Sequence, residues 1–175
     1  MEHKITLRPW RKSDFSTLAD LANNPSIAKN LTDKFPQPYT EKDAKDFIKK
    51  ASIIVPCTRF AIFYNETLAG SIGVYPLEDI NRLNAELGYW IGEAFWGKGI
   101  ITKAIAYMLD YVFEILPIDR VFARPFPHNT ASIKALEKNG FVLEATIKEG
   151  LVKNNKKMDE LIYSINKSKR AIKKI

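Results

Sequence analysis

Two hydrophobic rhythms alternate along this chain. Lys4 to Arg8 switches between apolar and polar positions and predicts a first strand, ended by Pro9 and Trp10. The period then lengthens. Phe15, Leu18, Leu21 and Ala22 mark a helix with Ser13 as its N-cap, closed by Asn23-Asn24-Pro25, with a further helical turn over Ser26–Asn30. Leu31–Tyr39, holding Phe35, Pro36, Pro38 and Tyr39, has no period and predicts a loop. Thr40 with Asp43 makes a capping box, and Ala44, Phe47, Ile48 and Ala51 give the helix behind it an apolar stripe. Arg59–Tyr64 and Leu68–Tyr75, joined at Asn65-Glu66, read as a hairpin in which Gly70 and Gly73 mark a bend, a bulge or a close backbone approach.

Pro76–Asn84 connects this hairpin to a strand, Ala85–Ile91. Leu87, Tyr89 and Ile91 share one face of that strand, and Glu86, Gly88 and Trp90 the other. A broad stripe from Ile100 through Ile101, Ala104, Ile105, Met108, Leu109, Val112 and Phe113 to Leu116 predicts a helix stopped by Pro117. Ile118–Phe126 is a strand, Asn129 or Thr130 opens a short helix to Lys138, and Asn139-Gly140 ends it. Phe141–Ile147 and Met158–Ile165 are strands joined by a turn at Lys153–Lys157. Local hairpins with two later helical crossovers imply a mixed α+β domain over residues 1–166, with a basic tail at 167–175.

Leu83–Ile105 carries the clearest chemistry. An apolar strand and a short turn lead to Gly97-Lys98-Gly99, which runs directly into a helix. The first amides of a helix lack intrahelical acceptors and sit at the positive end of its dipole, so this turn is suited to a phosphate or diphosphate.

Composition and charge narrow the setting. No apolar run reaches membrane-spanning length, the N-terminus lacks a signal-peptide core, and a single cysteine, Cys57, excludes an intrachain disulfide framework. A cytoplasmic location is expected, with no membrane partner. The net charge is +7, and the tail contributes Lys167, Lys169, Arg170, Lys173 and Lys174 without an acid. That tail reads as a solvated end. Attraction to nucleic acid is the sharper alternative, but the aromatics do not interleave with the basic residues, so nucleic acid is not expected as a partner. His3, His128 and Cys57 are too scattered for a metal site; His128 reads as an exposed or capping residue and Cys57 as a buried structural thiol.

Glu86-Leu87-Gly88-Tyr89-Trp90-Ile91, Trp96-Gly97-Lys98-Gly99, Asn129-Thr130-Ala131-Ser132 and Glu137-Lys138-Asn139-Gly140-Phe141 together resemble the GNAT (Gcn5-related) N-acetyltransferases. Leu7-Arg8-Pro9-Trp10 and Pro38-Tyr39-Thr40 point to the ribosomal-protein-alanine N-acetyltransferase-like branch. The resemblance spans residues 3 to 165. It implies a single GNAT-like domain, a mixed and mostly antiparallel central sheet of about six to seven strands with helices on both faces. It also implies transfer of acetyl from acetyl-CoA, the cosubstrate, to an amine acceptor. Tyr89, Trp90 and Ile91 would line pantetheine through their main chain, where their strand splays from Ile118–Phe126. Gly97, Lys98, Gly99, Ile100, Ile101 and Thr102 would supply amides to the diphosphate, and Asn129 would hydrogen-bond the pantetheine arm. The chain departs from the family pattern at Trp96, at Ile101 and at Leu136, which stands where many members carry a tyrosine acid.

Within that resemblance Glu86 is the expected base, acting through water, and Ser132 the expected proton donor to the leaving thiolate. A backbone amide near Tyr89 or Trp90 would serve the oxyanion. Glu86 as an exposed strand carboxylate or a structural ion pair, and Ser132 as a backbone-bonding helix residue, are the plain alternatives. An α-amine titrates near ~8 and a lysine amine near ~10.4, so a modest base suits the α-amine of a protein or peptide N-terminus. A small amine such as an aminoglycoside, polyamine or amino-acid derivative is the second expectation, and a non-catalytic CoA- or nucleic-acid-binding module the third. The assembly is expected to be a monomer or homodimer.

Overall fold

The computed structural model describes residues 4–172, with side chains through residue 170. His3, Lys173 and Lys174 lie outside the described residues. In chain order the strands are β1 (Ile5–Pro9), β2 (Arg59–Tyr64), β3 (Thr67–Pro76), β4 (Asn84–Ile91), β5 (Arg120–Ala123), β6 (Val142–Lys153) and β7 (Lys156–Asn166). The helices are α1 (Phe15–Ala22), α2 (Pro25–Ala28), α3 (Glu41–Ser52), α4 (Ile100–Ile115), α5 (Thr130–Lys138) and α6 (Lys167–Ile172). The strands form a seven-stranded sheet in the order β1-β2-β3-β4-β5-β7-β6. The β4–β5 ladder is parallel. Its α4 crossover supplies the long connection that a parallel pair requires. The α+β class and the seven-stranded mixed sheet are those the resemblance implies. The chain divides into two compact units, Met1–Gly73 with Tyr89–Ala104, and Val74–Gly88 with Ile105–Ile175.

The first unit is built on an aromatic and aliphatic core. Trp10, Leu18, Ala19, Ala22, Tyr39, Ala44, Ile48, Ala51, Ala61 and Leu68 are buried together, with Phe15, Phe35, Phe47 and Trp90 packed against them. Each fully buried large aliphatic side chain contributes about 1.5–3 kcal/mol. Helix α1 is not capped by Ser13 as the sequence suggested. A 3-10 turn, Lys12–Asp14, precedes it, and the Asp14 carboxylate accepts from the Arg11 amide at 2.8 Å. That carboxylate is also held by Arg8 through two bonds of 2.8 Å. Burial works to raise its pKa, but the Arg8 hydrogen bonds, the Arg11 amide and the adjacent positive charge outweigh burial and hold it below the ordinary carboxylate value. Thr40 and Asp43 form the expected capping box on α3. The β2–β3 hairpin turns at Asn65 (φ 46°) and Glu66 (φ 68°), with a register shift at Ile62/Phe63.

In the second unit Ile105, Met108, Leu109, Val112, Ile118, Val121, Leu136 and Ile165 are buried. Strand β5 is shorter than expected, ending at Ala123 rather than Phe126. Pro125 and Pro127 lack the amide needed to continue a ladder. Helix α5 joins β5 to β6, but β7 lies between those strands, so this crossover skips one position in the sheet. The β6–β7 hairpin runs longer than expected. Its turn is at Asn154 and Asn155 (φ 50° and 60°), and its ladder breaks between Ile147 and Leu151. There Glu149 adopts φ 49°, and its amide donates to Asp159 at 3.0 Å. This bulge interrupts the two-residue period and conceals the strand's length in the sequence. Residues 167–172, read as part of a solvated tail, form α6. Arg170 donates to Asp110 (3.0 Å) and to the Ala106 carbonyl (3.1 Å).

Candidate functional site

The residues singled out in the sequence fall in both units. In the first, β4 ends at Ile91 and passes through a 3-10 turn, Glu93–Phe95, to the glycines. Side chains brace this passage. Trp96 Nε1 donates to the Ile91 carbonyl at 2.8 Å, and Asn24 Nδ2 donates to Glu93 at 2.7 Å. Lys98 Nζ donates back to the Ala94 carbonyl at 3.0 Å and lies 5.6 Å from the centre of the Phe95 ring. Its ammonium is therefore partly spent on the turn itself. Gly97 and Gly99 have φ of +73° and +70°, and a Cβ at either would meet nothing within 4 Å. Backbone conformation, not crowding, requires glycine here, and the space above the turn is open to a bulky ligand. Lys103 N bonds the Gly99 carbonyl at 3.3 Å. The amides of Ile100 and Ile101 precede that first intrahelical bond. Ile100 is the core residue of the pair, at 1% exposure; Ile101 is only half-buried.

Trp90 crosses Phe35 edge-on at 6.0 Å, and Phe35 lies 5.0 Å from Tyr39. The aromatics of the 31–39 loop thus join the core of this unit, and burial pushes the Tyr39 phenol up to about 12. Gly70 serves a close approach, since a Cβ there would lie 2.3 Å from the Trp90 carbonyl oxygen.

In the second unit Asn129 is the N-cap of α5, its Oδ1 accepting from the Ser132 amide at 3.2 Å. Its amide nitrogen is not used by that bond. Ser132 sits half-buried in the first turn of the same helix, close in sequence to an exposed His128 whose ring lies 5.7 Å from Phe126. The β4–β5 ladder pairs Asn84, Ala85 and Glu86 with Arg120, Val121 and Phe122, and its register stops there while β4 continues to Ile91.

Glu86, half-buried on β4, is gripped by Arg124. Nε donates to Oε1 at 2.9 Å and Nη2 to Oε2 at 2.7 Å, while Nη1 donates to Glu160 at 3.1 Å. The Glu86 hydrogen bonds, against the opposing cost of burial, raise the Arg124 guanidinium above its ordinary value. Arg124 and Glu160 were not singled out in the sequence. One signal was available: with Glu86 opposite Phe122, the two-residue period returns at Arg124. Cys57 is half-buried, not buried, and bonds the Arg59 carbonyl at 3.3 Å. Among the described residues no group of three or more His, Cys, Asp or Glu could hold a metal ion, and no helix is long and apolar enough to cross a membrane.

An N-acetyltransferase, p20, of Bacillus licheniformis is 29% identical over 96% of both chains. The ribosomal-protein-serine acetyltransferase of Escherichia coli is 30% identical, covering 60% of this chain and 58% of its own. A spermidine N-acetyltransferase from Vibrio cholerae, solved in complex with CoA and spermine, superposes with a TM-score of 0.81 at 25% identity, covering 95% of this chain and 98% of that one. The acetyltransferase (GNAT) domain family matches residues 4–142. With its glycine turn opening α4 and its matched span covering most of the molecule, the chain belongs to the GNAT acetyltransferase family.

Proposed function

We propose that this protein transfers an acetyl group from acetyl-CoA to a primary amine, and that the amine is the α-amine of a protein or peptide N-terminus. The observation that carries the cosubstrate is the pair Gly97 and Gly99, both at positive φ beneath open space at the start of α4. A diphosphate fits that turn, bonded by the amides of Gly97 through Thr102. The main chain of Tyr89, Trp90 and Ile91 lies past the last β4–β5 rung and has the extended form a pantetheine arm would pair with. Asn129 serves that arm with its amide nitrogen while its oxygen caps α5.

In the reaction the neutral amine nitrogen attacks the thioester carbonyl carbon, and an amide near Tyr89 or Trp90 stabilises the developing oxyanion. The carbon–sulfur bond then breaks, the attacking nitrogen loses a proton through water to Glu86, Ser132 gives its hydroxyl proton to the thiolate, and a proton passes from Glu86 through solvent back to the Ser132 oxygen. An acetylated amine and a CoA thiol result. The Glu86 charge is shared with Arg124, which favours a single amine over a polycation and so an N-terminus over a polyamine. The relative solved with CoA and spermine supports the second reading, a small polyamine acceptor. The setting in either case is the cytoplasm.

A panel of N-terminal peptides and free amines, followed by CoA release and acceptor mass, separates the two readings. Glu86→Gln and Ser132→Ala should each lower turnover by at least tenfold, as loss of general acid–base catalysis does, with acetyl-CoA affinity kept. Wild-type rates in both variants would remove those roles.

A further inference from the structure

The group that holds Glu86 belongs to no part of the reaction described so far. Arg124 follows the end of β5 and contacts Glu86 on β4 and Glu160 on β7. Exposure of the side chains falls from 44% at Arg124 and 30% at Glu86 to 13% at Glu160. The clamp is therefore rooted at its buried end and reaches outward to Glu86. It begins where backbone pairing stops, because Glu86 opposite Phe122 is the last rung between β4 and β5. Past that rung the guanidinium is a side-chain tie between the two strands.

Its geometry matters more than its charge. A partly exposed ion pair contributes little to stability, about 0–1 kcal/mol. A planar guanidinium bonding both oxygens of a carboxylate, however, fixes the carboxylate's plane in a way one ammonium cannot. Each oxygen keeps a lone pair for another partner. The second carboxylate, Glu160, offsets the positive charge of Arg124, so the three groups together retain one negative charge.

We propose that Arg124, anchored on Glu160, is a positioning residue for acetyl transfer: it fixes the plane of the Glu86 carboxylate at the end of the β4–β5 ladder, so that its remaining lone pairs meet the water and amine of the acceptor. This inference rests on the functional reading above. A separate arginine, Arg120 on β5, bonds Asn84 on β4 and Glu144 on β6.

A double-mutant cycle on turnover tests it. Arg124→Gln should lower kcat by roughly tenfold to a hundredfold, the scale of a small misplacement of a reacting group, and leave the KM for acetyl-CoA unchanged. In a Glu86→Gln background the same change should cost nothing further, because Arg124 acts through Glu86. Arg124→Lys should recover only part of the rate, and added guanidinium should partly restore Arg124→Ala. Glu160→Gln should give a smaller loss in the same direction. Thermal unfolding of each variant confirms that the fold is intact, and Arg124→Lys serves if Arg124→Gln fails to fold. Wild-type kcat in Arg124→Gln, or an equal loss with and without Glu86, overturns the inference. If the wild-type protein acetylates no amine, the functional reading has failed and the inference with it. Turnover that depends on Glu86 but not on Arg124 overturns the inference alone.

Discussion

Replacing Gly99 by alanine tests the proposed role of the glycine turn in holding the cosubstrate apart from its role in the fold. At φ +70° an alanine sits in the left-handed region, which costs an L-residue roughly 1–2 kcal/mol. A stiffer unfolded chain returns about 0.4–1 kcal/mol. No steric cost is added, since the new Cβ meets nothing within 4 Å. The net loss is about 1 kcal/mol, or roughly 2–4 °C in Tm for a chain of this size. Binding should suffer more. A methyl group in the open space keeps a diphosphate off the amides, and loss of one hydrogen bond to a charged acceptor costs about 1.5–3 kcal/mol. That corresponds to a roughly 10–100-fold rise in Kd for CoA. Calorimetric titration with CoA, and with pantetheine as a ligand lacking the diphosphate, reads this directly. CoA affinity should fall, pantetheine affinity should hold, and kcat at saturating acetyl-CoA should stay near wild type. A variant that loses the expected 2–4 °C yet binds CoA as tightly as wild type would refute the assignment of the turn to the diphosphate.

Other consequences follow from packing and charge. Gly70→Ala places a Cβ 2.3 Å from the Trp90 carbonyl oxygen and 3.0 Å from Ile91 Cα, both backbone atoms. It should cost about 3 kcal/mol, the upper range for overpacking, and weaken CoA binding by displacing the end of β4; a Tm within 1 °C of wild type would contradict the close approach. Asp14→Asn should destabilise by about 1.5–3 kcal/mol at neutral pH, as loss of a charged hydrogen bond does. Because the folded pKa of Asp14 lies below its unfolded value, its contribution is present above the unfolded carboxylate value near ~3.9 and is lost as pH falls through the folded one. Urea unfolding should therefore show the wild-type advantage constant from pH 7 to about 5 and shrinking below about 4. An advantage unchanged at pH 3 would show that the carboxylate charge is not what Arg8 holds.

The sequence was most legible where one physical rule acts locally. The capping box of Thr40 and Asp43 depends on residues three apart, and the structure has it. The glycines before α4 were legible because Gly97 and Gly99 stand directly before the helix's apolar stripe, and both take positive φ. Of the two residues the sequence offered to open α5, Asn129 and Thr130, Asn129 is the cap. Ser13 was misread because the cap of the first helical turn is decided partly by Arg8, which lies on another element and competes for the Asp14 carboxylate. Strand β5 was read too long because its apolar content continues to Phe126 while its hydrogen-bonding capacity is cut at Pro125. The β6–β7 hairpin was read too short because the bulge at Glu149 resets the two-residue period.

The sequence by itself determined the order of the main elements, the capping box on α3 and the glycine turn at Gly97–Gly99 that opens α4. Those features arise from propensity, periodicity and chemistry within a few residues of one another. Only the tertiary structure decided the company each side chain keeps. Glu86, Arg124 and Glu160 lie far apart in the chain, and strand order and register alone bring them to one guanidinium. The aromatics of the 31–39 loop became core for the same reason, since burying Tyr39 and Phe35 against Trp90 requires β4 to be in place. A local pattern can specify a turn, whereas a charge network needs strands that the chain pairs only after long excursions, with their register set by the burial of one face.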